Sequence, residues 1–178
     1  MIKKIKIFLM SIACFFIPGC DNNSIDHYID KKEKVDLRTF FNGNVEGWGS
    51  LFDYQGKQTR SFFVKIKGTF NGNVGTLEEW FDFDDGEKSQ RTWDISFSSD
   101  QEFVGKAHDV IGDAKGIQKG NAINLHYTLR ISYDGSTLDL SMDDWMYKLD
   151  EHTILNRTSM KKFGFKVGEL VLFMKKMP

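Results

Sequence analysis

The chain has few cysteines and few prolines, two of each in 178 residues. Cys14 and Cys20 both lie in the first twenty residues, so the rest of the chain can form neither disulfide bonds nor thiolate metal sites. One proline is Pro18 and the other is the last residue, which suits long, uninterrupted strands. A domain of roughly 140 residues without cross-links must be stabilised by its apolar core alone.

The chain also lacks an excess of basic charge. It carries 24 basic and 25 acidic residues, and because residues 1–19 hold three lysines and no acid, 21 basic and 25 acidic residues follow them. No Lys/Arg cluster of the kind that binds nucleic acid is present. Neither a Gly-x-Ser-x-Gly elbow, a phosphate-binding loop, nor an H-x-H or H-E-x-x-H spacing occurs. We therefore predict no metal, no cofactor and no catalytic residue of a known type.

The N-terminus is typical of an export signal. Three lysines precede an apolar run, residues 7–16, which ends at Ile17-Pro18-Gly19-Cys20. This pattern resembles the lipobox of bacterial lipoproteins and predicts cleavage before Cys20 and lipidation of that cysteine. Ile17 and Gly19 fit the pattern, whereas Pro18 is unusual. The alternatives are an ordinary signal peptide or a short anchor helix, since the run is well below the roughly 20 residues of a membrane span.

The residues after the lipidation site predict which membrane of the envelope holds the protein. Asp21 and Asn22 resemble the signal that retains lipoproteins in the inner membrane. We therefore expect a lipid-anchored protein of the bacterial cell envelope that faces the periplasm, with the inner membrane favoured over the outer one. Its partner would be the membrane, through the N-terminal lipid.

The sequence divides into three parts. Residues 1–19 are interpreted as the signal peptide, 20–36 as the lipidated cysteine with a polar tether, and 37–178 as one folded domain. Within the tether, Ile25, Tyr28 and Ile29 could form one turn that contacts either the domain or the bilayer surface.

The sequence of the domain has the apolar–polar alternation that is typical of β-strands. Apolar and polar residues alternate strictly over residues 123–133, which predicts a half-buried strand. Turn sequences such as Asp84-Asp85-Gly86 separate similar runs. Predicted strands are 45–53, 60–69, 77–84, 91–98, 102–109, 112–119, 122–133, 137–147, 152–159 and 166–175.

Ten short antiparallel strands joined by hairpins favour an all-β fold closed into a single up-and-down β-barrel. An open sheet would leave two edges exposed, while closure removes both edges. A β-sandwich is the alternative.

Several short motifs together resemble the DUF3833 family of bacterial lipoproteins, whose function is uncharacterised. They are Phe40-Phe41-Asn42-Gly43, Trp48-Gly49, Asp84-Asp85-Gly86-Glu87 with Arg91 and Trp93, Gly120-Asn121-Ala122, Asp143-Asp144-Trp145-Met146-Tyr147 and Phe163-Gly164. The resemblance implies a lipid-anchored, lipocalin-like (calycin-type) barrel and a link to fatty-acid-modifying enzymes. It implies no catalytic residues.

Candidate site residues are polar groups in the apolar phase of a strand, where they line a cavity or are hydrogen-bonded. These residues are Glu79, Asp144, Asn156 and Glu169. Glu169 is assigned to the phase of Val167, Val171 and Phe173. If the carboxyl groups all faced inward, at least one would take up a proton or pair with Arg91 or Arg157. A bulge or strand end would instead return each of them to water.

Three further residues complete the predicted cavity wall: Tyr127, Met142 and Met146. Flexible methionines suit an acyl chain, although they serve equally well as core filler. The sequence therefore favours a domain that binds a lipid-like or fatty-acyl small molecule and serves envelope lipid maintenance or modification. The alternatives are an enzyme that acts on a lipid-derived substrate through carboxylates such as Asp144, and an interaction protein with a filled barrel.

Overall fold

The computed structural model describes residues 23–133 and 135–178. A 3-10 turn at Ile25–Tyr28 and a short helix, α1 (Leu37–Phe41), precede the strands. The strands are β1 (Gly43–Asp53), β2 (Gln58–Asn71), β3 (Val74–Phe83), β4 (Lys88–Phe97), β5 (Glu102–Lys106), β6 (Val110–Lys119), β7 (Ala122–Tyr133), β8 (Ser136–Lys148), β9 (Thr153–Lys162) and β10 (Phe165–Lys176).

The ten strands form a closed antiparallel barrel in which each strand pairs with its neighbours in sequence and β1 pairs with β10. The closing ladder runs from Val45 opposite Lys176 to Asp53 opposite Gly168. The predicted all-β, up-and-down barrel is therefore confirmed, with strand ends within a few residues of those expected. Within the described residues, no helix is long and apolar enough to cross a bilayer.

Helix α1 closes one end of the barrel. Asp36 caps the helix, because its side chain accepts a hydrogen bond from the Thr39 backbone N–H at 3.1 Å. Leu37 and Phe41 are buried in the main core. The Phe41 carbonyl oxygen lies so close to Gly68 that a Cβ there would be only 1.8 Å away. Gly68 therefore lets the helix end sit directly on β2.

Part of the predicted tether packs against the barrel. The Tyr28 ring lies 5.7 Å from that of Trp145 and 5.4 Å from that of Tyr147. Asn23 donates a hydrogen bond to the Tyr147 hydroxyl at 3.2 Å, and Lys119 pairs with Asp26 at 2.6 Å. Of the two sequence interpretations for this turn, the structure shows contact with the domain.

Strand β10 differs from the prediction in its phase. Leu170, Leu172 and Met174 line the interior, whereas Val167 and Phe173 are about four-tenths exposed on the outer wall. Residues 170–174 are all apolar, so their sequence has no alternation that distinguishes one face from the other.

Candidate functional site

The barrel contains a cavity of about 520 Å³ that is partly open to solvent. Leu37 and Phe41 form part of its floor, beside inward residues of the surrounding strands. Leu129, Leu140 and Met142 form a second apolar cluster further along the interior. A volume of several hundred Å³ with a largely apolar wall is typical of small-molecule sites.

Glu79, Arg91 and Asp109 form a charged cluster on the cavity wall. Glu79 and Arg91 lie opposite each other on β3 and β4, and Asp109 lies in the connection between β5 and β6. The Arg91 guanidinium contacts Asp109 at 2.8 Å, and its Nε donates to both carboxylate oxygens at 3.1 and 3.0 Å. The distance from Arg91 Nη1 to Glu79 Oε2 is 3.8 Å. The Arg91 guanidinium is thus paired mainly with Asp109.

Glu79 is the least compensated of these groups. Its Oε2 atom is buried and has no hydrogen-bond partner within the part of the chain that the structure describes. Burial raises the pKa of Glu79 to about 7, and the charge of Arg91 and a hydrogen bond from Trp93 offset only part of that effect. Glu79 therefore changes its charge near neutral pH.

Asp144 is the second buried carboxyl group, and it is hydrogen-bonded. It lies on β8 and accepts from the Asn156 amide and, at 3.0 Å, from the Thr158 hydroxyl, both on β9. The Asn156 amide also donates to the Trp145 carbonyl at 3.0 Å. Burial raises the pKa of Asp144 to about 6, although both hydrogen bonds lower it.

Tyr127 lies on the same wall and packs edge-on against Trp93, with ring centroids 5.4 Å apart. Burial, and then the nearby charge of Asp144, raise the pKa of its hydroxyl. The hydroxyl therefore stays protonated and remains available as a hydrogen-bond donor.

The rim of the cavity carries a further ion-pair cluster. Arg60 lies over the Phe83 ring, 3.6 Å from its centroid, and contacts Asp85 and Glu87, each at 2.7 Å. Arg60, Phe83 and Glu87 all line the cavity. Within the described residues, no group of three His, Cys, Asp or Glu side chains is placed to hold a metal ion.

The structure places six predicted residues on the cavity wall: Glu79, Tyr127, Met142, Asp144, Met146 and Asn156. Their role in ligand binding stays a prediction. Asp144 and Asn156 contact each other, which the strand pattern did not indicate. Cys20, Asp21 and Asn22, the predicted lipidation and sorting residues, lie outside the described residues.

The predicted position of Glu169 inside the barrel is wrong. Glu169 lies on the outer wall, where it pairs with Arg157 and Lys166. The hydrogen bond from Arg157, which has the largest effect, and that from Lys166 lower the pKa of the Glu169 carboxyl group. The error follows from the phase of β10 described above.

Sequence reasoning named Arg91 only as a possible partner and missed Asp109. Arg91 shares the inward phase of Trp93 and Ile95, so the alternation of β4 could have predicted that Arg91 faces the interior. Asp109 follows the end of β5, outside any strand, and no periodicity indicates where its side chain points.

The fold and site together define a closed antiparallel barrel with a cavity of ligand size and a charged cluster inside. The chain belongs to the family described as "Protein of unknown function (DUF3833)", whose model matches residues 14–176. No curated protein matches the chain.

A structure of the S-type phycobiliprotein lyase CPES from Guillardia theta has a similar fold. Its TM-score is 0.56 at 10% sequence identity, over 81% of this chain and 94% of that chain. The likeness shows that the barrel fold is shared, and at this identity it shows nothing about shared residues.

Replacing Asp144 tests its hydrogen-bond network. Asp144→Leu should lower the free energy of unfolding by about 1–3 kcal/mol, because the Asn156 amide and Thr158 hydroxyl lose their acceptor. Asp144→Asn keeps an acceptor oxygen, so its free energy of unfolding should fall by less. Urea denaturation of both variants measures the difference. A Leu variant as stable as the wild type would show that these hydrogen bonds contribute nothing.

Glu79 should make stability depend on pH. Because its pKa is raised in the folded state, the folded protein binds a proton more tightly than the unfolded chain does. The free energy of unfolding should therefore fall as pH rises from about 4.5 to about 7, by roughly 3 kcal/mol from this group. Glu79→Gln removes this contribution. Urea denaturation at pH 5 and pH 8 measures the free energy of unfolding of both proteins. If the variant and the wild type differ in this free energy by the same amount at both pH values, the raised pKa of Glu79 is contradicted.

Proposed function

We propose that this protein is a lipid-anchored lipoprotein of the cell envelope that binds a lipid-like or acyl-chain small molecule inside its barrel. The observation that carries the proposal is the cavity of about 520 Å³ inside the barrel. In this role the protein would carry or present its ligand in the maintenance or modification of envelope lipids.

The composition of the cavity wall supports a partly apolar ligand. Leucines and methionines from β7, β8 and β9 line one part, and the charged cluster lies on β3 and β4. Methionine side chains adapt to flexible apolar chains. A ligand with an apolar chain and one polar end fits both parts of the wall.

The docked N-terminal segment supports placement close to a membrane. Cys20, the predicted lipidation site, is three residues before Asn23, which is hydrogen-bonded to Tyr147. Three residues span at most about 11 Å. A lipid on Cys20 would therefore hold the barrel wall near Tyr147 close to the bilayer.

An apolar row on the outer wall supports the same placement. Leu155, Phe173, Trp48 and Phe63 are paired in turn across β9, β10, β1 and β2. Trp48 is 50% exposed and Phe173 is 42% exposed. The row continues across β8 to Tyr147, which Leu155 faces. Aromatic side chains of this kind are favourable at a membrane interface.

The inner membrane is the proposed location because of Asp21 and Asn22, and the lipid environment there would supply the ligand.

An enzyme that acts on a lipid-derived substrate is the second candidate. Glu79, with a pKa of about 7 beside the Arg91 guanidinium, has the properties of a general acid or base. The third possibility, an interaction protein with a filled barrel, is disfavoured by the cavity.

Reducing the cavity volume should weaken ligand binding. Met142→Trp places a larger side chain on the inner wall, and we expect it to weaken binding of 1-N-phenylnaphthylamine, an uncharged fluorescent probe, by roughly tenfold or more. Ser141→Trp, on the outward face of the same strand, is the matched control and should bind normally. Native mass spectrometry of the detergent-extracted wild type should also show a retained small molecule. Equal probe binding by both variants would contradict a cavity site.

Changing Cys20 tests the anchor. Cys20→Ser removes the thiol that would be acylated, so we expect the precursor to remain unprocessed by the lipoprotein signal peptidase and to keep its full length. Gel mobility and membrane fractionation measure this result. A variant that is matured and fractionates as the wild type does would disprove lipidation at this residue.

A further inference from the structure

The charges that line the cavity are unequal in number. Among the residues that the structure describes, six charged side chains face it: Arg60, Glu79, Glu87, Arg91, Asp109 and Asp144. Four are acids and two are arginines, so the wall has an excess of carboxyl groups. A ligand with a carboxylate would add another negative charge to this cavity.

Both guanidinium groups already have acidic partners. Arg91 is held by Asp109 through its Nε and Nη2 atoms, and Arg60 is held by Asp85 and Glu87. An arginine that recognises a carboxylate ligand usually presents two parallel N–H donors to it. A carboxylate ligand that binds through Nε and Nη2 would therefore compete with an existing ion pair in either place.

Glu79 offers the opposite chemistry. Its buried Oε2 atom has no hydrogen-bond partner among the described residues, and the nearest cationic atom, Arg91 Nη1, is 3.8 Å away. Buried polar atoms are normally hydrogen-bonded. The Glu79 side chain lines the cavity and is 15% exposed, so its carboxyl group can accept a donor supplied by a ligand.

The surroundings of Glu79 favour a positively charged donor. Besides Arg91, the groups that act on it are the Trp93 indole on β4, Asp109 after β5, and Asp144 on β8. Two of these are further carboxyl groups. Burial holds the pKa of Glu79 near 7, and a bound cation would favour its ionised form.

We propose that the cavity binds an amphiphile with a cationic hydrogen-bond donor, an alkyl amine in chemical class, whose head group contacts Glu79, and that it rejects carboxylate anions such as free fatty acids. The apolar chain lies against the Leu129, Leu140 and Met142 cluster. This inference rests on the proposed function, in which the barrel binds a small amphiphile.

Competition among three ligands of equal chain length tests the proposal. Decylamine, decanol and decanoate, each below its micelle concentration, would displace 1-N-phenylnaphthylamine from the purified full-length protein at pH 7.5. Decylamine should displace the probe at a concentration at least about tenfold lower than decanoate, with decanol between them. Lowering the pH to about 5 should weaken decylamine binding, because Glu79 and Asp144 take up protons.

The variant Glu79→Gln keeps the shape of the side chain and removes its charge. We expect it to lose the preference for decylamine and to bind decanol within about twofold of the wild type. Glu78→Gln, the same change on the outward-facing neighbour, is the control and should behave as the wild type does. Retained probe binding shows that each variant is folded.

The outcomes separate the two proposals. If the wild type does not bind the probe or any of the three ligands, binding inside the barrel itself is disproved. If the probe binds but decanoate competes as well as decylamine, or if Glu79→Gln leaves the preference unchanged, the ligand class is wrong while the binding function stands.

Discussion

The interior of this protein depends on the hydrogen-bonded closure of β1 against β10. That ladder converts a ten-stranded meander into a barrel, so that one phase of every strand faces a common enclosed space. Eight-stranded barrels are just wide enough for side chains to fill, and wider ones leave room inside. The same closure removes both free sheet edges. The cavity and the absence of open edges are thus two results of one pairing.

Closure also sets the cost of the polar residues inside. Glu79 and Asp144 are held where water is scarce, and both pKa values are raised by burial. A purely structural interior would be more stable with an apolar side chain in place of Glu79, whose Oε2 atom has no hydrogen-bond partner among the described residues. Groups that oppose stability in this way are typical of functional sites. Asp144 has its donors within the protein, whereas one oxygen of Glu79 has no hydrogen-bond donor in the described part of the chain.

The comparisons separate fold from function. The phycobiliprotein lyase from Guillardia theta has a similar barrel at 10% identity, so this architecture accommodates very different sequences. Membership of the DUF3833 family assigns no role to any residue of this chain. Function therefore has to be argued from the side chains that face the cavity.

The sequence by itself determined the strands, the turns between them and the inward face of most strands. Alternation is a local property, and in β7 it runs without a break, so Tyr127 could be assigned to the interior. The same reasoning succeeded for Glu79 and Asp144 and could have found Arg91. It failed for Glu169 because the apolar run 170–174 in β10 gives both faces the same character. Helix α1 was also missed, since five residues are too few to show a helical period.

Only the tertiary structure decided which of the inward-facing polar groups have hydrogen-bond or ion-pair partners. Asn156 and Thr158 meet Asp144 across a strand pair, and Asp109 reaches Arg91 from a connection 18 residues away in sequence. Alternation specifies a face but neither a partner nor a distance. Whether a buried carboxyl group is paired or open to a ligand depends on the register between strands, and this is why Asp144 and Glu79, equivalent in the sequence, differ in the folded protein.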